Sequence, residues 1–136
     1  MSYSVVPHAG LWDEARISEE NSRWNEPLLT QIMDGHPQEG SETRSLVSVS
    51  GGGVELPTLL IQGDDMFIRL FNSEGSVAQR VVSLHSRPVQ VDLVELDGRR
   101  IEKLQVQRGA DGRYEITVAL PRFGVRTLRC QMTATG

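Results

Sequence analysis

From Ser45 onward the chain alternates apolar and polar residues in short runs separated by turn formers. That period of two limits the fold more than any other feature, because it sends side chains of one kind to one face of an extended strand. Tyr114, Ile116, Val118 and Leu120 alternate with Glu115, Thr117 and Ala119, and Val89, Val91 and Leu93 alternate with Gln90 and Asp92. The runs predict strands at residues 46–50, 59–62, 66–72, 77–84, 89–96, 101–107, 114–120 and 125–132. So many short strands predict an all-β fold, an antiparallel β-sandwich of immunoglobulin-like type, with an open barrel as the alternative. Ile68, Leu70, Val91, Leu93, Ile116, Val118 and Leu128 are the expected core. Asp97-Gly98 is the residue pair of a two-residue hairpin turn, Asp111-Gly112 offers a second turn, and Gly51-Gly52-Gly53 suggests a hairpin or bulge.

The first residues lack this period. Tyr3 to Val6 form a short β-prone run, and Asp13 can cap a brief helix toward Trp24. Arg16/Glu20 and Glu19/Arg23 are spaced for i,i+4 ion pairs on that helix. Asp34-Gly35-His36-Pro37 opens a polar stretch rich in turn formers. The expected organisation is therefore a strand-and-helix segment over 1–33, a linker or exposed loop over 34–44, and a β-sandwich domain over 45–136.

Composition narrows the function. A net charge of -4 with dispersed Lys and Arg argues against nucleic acid, whose phosphates call for a clustered basic face. No apolar stretch approaches the roughly 20 residues of a membrane-spanning helix, so no membrane partner is expected. The single cysteine, Cys130, alternates with Leu128 and Met132, which makes it a buried strand position and a packing thiol. With no intrachain disulfide possible, the cytoplasm is the expected compartment.

The residues that could carry chemistry do not group by spacing. Asp64-Asp65, Glu19-Glu20 and Asp97 fall in turn or solvent-facing contexts, whereas glycoside hydrolysis needs two carboxyl groups facing one bond. His8, His36 and His85 stand apart, with no Cys-x-x-Cys or His-x-x-x-His spacing for a metal. The triple glycine lacks the Lys and Ser/Thr of a phosphate loop. Catalytic and metal-ligating residues are expected to be absent. The candidates for substrate contact are His8, Trp12 and Trp24, the two tryptophans lying about three helical turns apart and so able to share a face.

Four segments in a fixed order give a further lead. They are Tyr3-Ser4-Val5-Val6-Pro7-His8-Ala9-Gly10, Asn25-Glu26-Pro27-Leu28-Leu29, Ile68-Arg69-Leu70-Phe71-Asn72-Ser73-Glu74-Gly75 and Leu120-Pro121-Arg122-Phe123-Gly124-Val125-Arg126-Thr127-Leu128-Arg129. In this order the chain resembles the C-terminal β-domains of family 38 glycoside hydrolases, the zinc-dependent α-mannosidases. Leu11 stands where an acidic residue often follows in that family, and Thr58-Leu59-Leu60-Ile61-Gln62 replaces a more basic segment.

The resemblance implies a non-catalytic β-domain that supports the hydrolysis of α-mannosides, with the catalytic domain of the parent enzyme as partner. It places the zinc and the nucleophile in that separate domain, so no cofactor belongs to this chain. Tyr3 to His8 would be the tail of a preceding β-domain, with His8 fixing the crossing between domains or reaching the catalytic domain or sugar. The N-terminal segment could also pair two copies of the chain into a homodimer. The alternative is a free-standing immunoglobulin-like binding or interaction module.

Overall fold

In a computed structural model, residues 5–12, 14–26, 29 and 45–132 are described. The chain divides into two units, Met1–Arg44 and Ser45–Gly136. Asp13, His36, Pro27, Leu28 and the expected linker over 34–44 lie outside the described residues, as do Tyr3 and Ser4 of the expected first strand. Val5 and Val6 are not in a strand, and both are exposed.

Among its described residues the first unit contains one helix, α1 (Ile17–Asn25), none of whose residues is buried. Arg16, just before it, has a left-handed backbone with φ of 53°. The helix's charged side chains pair at i,i+3, Arg16 with Glu19 and Arg23 with Glu20, each at 2.6 Å. The i,i+4 pairing expected from spacing is thus replaced by its closer neighbour, because the acids at 19 and 20 lie within one turn of both arginines.

Among its described residues the second unit has nine strands: β1 (Val47–Val49), β2 (Val54–Gln62), β3 (Asp65–Asn72), β4 (Ala78–Leu84), β5 (Pro88–Val94), β6 (Arg100–Leu104), β7 (Gln107–Arg108), β8 (Tyr114–Leu120) and β9 (Val125–Met132). They form two antiparallel sheets, one ordered β1-β4-β8-β7 and the other β2-β3-β9-β5-β6. The fold is an all-β sandwich. β3 alternates half-buried and buried residues throughout, and β8 buries Ile116, Val118 and Leu120 while exposing Thr117 and Ala119. Every residue expected in the core is buried: Ile68, Leu70, Val91, Ile116 and Leu128 are fully enclosed, with Leu93 and Val118 nearly so. Leu84, Val82, Leu120 and Cys130 complete the layer between the sheets.

Several local expectations need correction. The two-residue hairpin turn is Gly63-Asp64, between paired Gln62 and Asp65, with Gly63 at φ of 60°. Asp97-Gly98 instead ends a longer β5–β6 turn in which Gly98 N donates to Glu95 O at 3.0 Å and only the glycine takes a positive φ. Asp97 Oδ1 accepts from Arg99 N at 2.9 Å, and Asp111 repeats the device with Arg113 N at 3.0 Å. This is the hairpin made of an ordinary turn followed by a left-handed glycine. Gly51-Gly52-Gly53 is neither hairpin nor bulge; it carries the chain from β1 in one sheet to β2 in the other. Val89 leaves the apolar face at a register shift between Pro88 and Gln90 and is exposed. The single strand expected over 101–107 breaks into β6 and β7, which belong to different sheets.

Candidate functional site

The two resembling segments of the second unit meet at one end of the sandwich. β3 and β9 pair along their length, with Ile68 opposite Leu128 and Phe71 opposite Val125. Beyond them the loops are tied together. Asn72 is fully buried, its Nδ2 donating to Ser76 O at 2.8 Å and to Pro121 O at 3.0 Å, while its Oδ1 accepts from Glu74 N at 3.1 Å. Phe123 N donates to Glu74 O at 3.1 Å and Asn72 N to Gly124 O at 2.9 Å. Phe123 holds φ of 48°, a left-handed conformation that costs a bulky residue about 1–2 kcal/mol. Gly75 lies beside the Phe123 ring, and a Cβ there would meet the ring edge at 3.5 Å, an ordinary van der Waals contact.

Arg80 closes the same end from β4. It stands opposite buried Val118 in the register, and its guanidinium donates to Gly52 O at 2.8 Å and pairs with Glu74 at 3.6 Å. Gly53 O accepts from both the backbone and the hydroxyl of Ser73, at 2.9 and 3.0 Å. The triple glycine, the segment after β3 and the turn before β9 therefore form one hydrogen-bonded corner.

The sequence-derived candidates lie in the first unit. His8, Trp12 and Trp24 are all exposed, the tryptophans at 40% and 62%. Trp12 precedes α1 and Trp24 lies within it, so the two do not share a face of one helix. Of the carboxylates, Asp65 pairs with Arg129 at 2.9 Å, Glu19 with Arg16 just before α1, Glu20 with Arg23 of α1, and Asp97 holds a turn. Among the described residues, no three His, Cys, Asp or Glu side chains gather in the geometry of a metal site. No helix among them is long and apolar enough to cross a membrane. Cys130 is fully buried in β9, and burial, with the neighbouring Asp65 charge, pushes its thiol from 9.0 up to about 12.

Two clefts indent the second unit. One, of about 260 Å³, lies on the outer face of the five-stranded sheet, where Leu60, Phe67 and Leu96 are joined by Arg69 and Thr127. The other, of about 410 Å³, opens where the chain passes from β6 to β7. Its apolar lining includes Leu104, Val106 and Tyr114, which pack on the core, while Arg87, Lys103, Arg108, Gln90, Gln105 and Gln107 supply its polar groups. The sequence does not disclose this cleft: Gln105, polar between Leu104 and Val106, keeps the alternation of one continuous strand over 101–107, although the chain changes sheet there.

No family model, curated protein sequence or solved structure matches this chain.

Proposed function

We propose that this chain is a non-catalytic β-domain of an α-mannosidase-type glycosyl hydrolase, one that supports a separate catalytic domain and works in the cytoplasm. The observation that carries the reading is the corner around Asn72. Two of the four segments behind the resemblance, 49 residues apart at Asn72 and Pro121, are bonded into one unit. Their side chains act on each other and on backbone rather than presenting groups to a substrate, which is the behaviour of a structural element. Zinc, in this reading, belongs to the catalytic domain, and His8 with the tryptophans serves the junction to it.

We also read the sandwich as immunoglobulin-like. The order β1-β4-β8-β7 corresponds to A-B-E-D, while β9, β5 and β6 stand for F, C and C′. β3, which comes before β4 in the chain, takes the place beside β9 that strand G would occupy, and β2 adds a further strand at the edge beyond it. The second functional reading, a free-standing binding module, is favoured by the cleft at the β6–β7 crossing, whose size lies within the range of small-molecule sites.

The purified chain, incubated with p-nitrophenyl α-mannoside with and without added Zn²⁺, is expected to give no turnover. Turnover that survives removal of contaminating hydrolases would overturn the non-catalytic reading.

A further inference from the structure

We propose that the cleft at the β6–β7 crossing binds a short acidic saccharide through its carboxylates. The inference goes beyond the mannosidase-type reading and does not depend on it. The break between β6 and β7 builds the cleft: Lys103 to Arg108 all line it as the chain leaves one sheet for the other. Arg87, at the entry to β5, joins them.

Three observations set the ligand's chemistry. First, Arg87, Lys103 and Arg108 line the same cavity, no carboxylate lines it, and none of the three is held in a salt bridge. In a chain of net charge -4, three cations lining one concave site are a local excess of positive charge. Second, an arginine fork matches a carboxylate with two parallel hydrogen bonds. Third, Gln105 and Gln107 add amides that both donate and accept, suited to hydroxyl groups, and Tyr114 offers a ring, while the Nε2 of Gln90 is engaged by the Asp92 carboxylate at 2.8 and 3.0 Å. Charge, amides and a ring together fit a sugar acid better than a bare anion.

The test is calorimetric titration of the full chain with a tetrasaccharide of galacturonic acid, with its methyl ester, and with inorganic phosphate. Saturable binding of the acid is expected, weakened about tenfold or more in the methyl ester and in the Arg87→Ala/Arg108→Ala double variant, because each loses charge-assisted hydrogen bonds. Raising the salt from about 50 to about 500 mM should weaken it further by screening. Both arginines are exposed, so the variant should keep the wild-type thermal midpoint. Lys103→Gln, which keeps length and polarity, should give a smaller loss and serves if the double variant fails to fold. No binding of the acid, equal binding of the ester, phosphate binding as tight as the tetrasaccharide, or unchanged affinity in folded variants would each overturn the proposal.

Discussion

The side-chain amide of Asn72 donates a 3.0 Å hydrogen bond to the carbonyl oxygen of Pro121 and a 2.8 Å bond to that of Ser76, from a position with no solvent exposure. Its oxygen is also engaged, by Glu74 N. One residue thus satisfies backbone groups from two loops that meet where β3 ends and β9 begins.

Asn72→Ala removes three hydrogen bonds made by a fully buried side chain to backbone groups of two loops, so it should lower stability by about 2–4 kcal/mol. Asn72→Asp keeps the shape but turns a carboxylate toward two carbonyl oxygens, and should cost at least as much at neutral pH. Urea denaturation measures both. A loss near zero for the alanine variant would mean that the corner does not hold the two loops.

Cys130 gives a clean probe of opening, since it is the only cysteine. Its folded-state value is raised, so the neutral thiol is favoured in the sandwich. That contribution is fully present below the unfolded value of 9.0 and is lost as pH climbs toward about 12. Within that window the wild type should lose up to about 1.4 kcal/mol per pH unit more than Cys130→Ala does. Equal pH slopes would contradict the burial of a titrating thiol. At neutral pH a thiol reagent should label Cys130 only as fast as the domain unfolds.

Gly98 sits at φ of 87° with open space where a side chain would go. Gly98→Ala should therefore cost only the backbone strain, about 1–2 kcal/mol, with no packing penalty. Gly98→Asn should cost less, since asparagine tolerates this region. Thermal denaturation of the two variants checks the order, and a stabilising alanine would rule out the positive φ.

The strands legible in the sequence are those with one face fully buried. β3 and β8 hold their alternation from end to end because a slip of one residue would turn their apolar set to solvent. β2 was read only from Leu59, yet it begins at Val54 and passes Pro57 at a register shift; as an edge strand it needs no amide donor there. Leu59, Leu60 and Ile61 are all substantially exposed, so no period marked that strand. The change of sheet after Leu104 could not be read either, because alternation reports which face is buried and not which sheet a strand joins. The polar cleft follows from that crossing and was hidden with it. His8, Trp12 and Trp24 stood out by residue type, but spacing alone said nothing of where α1 would start.

The most direct measurement is α-mannosidase activity recovered with this chain from its own cell. With an affinity tag at its genomic locus, the isolated material should hydrolyse p-nitrophenyl α-mannoside in a zinc-dependent manner. Asn72→Ala, introduced at the same locus, should reduce the activity recovered. Isolation of the chain with no accompanying α-mannosidase activity would contradict the proposed role.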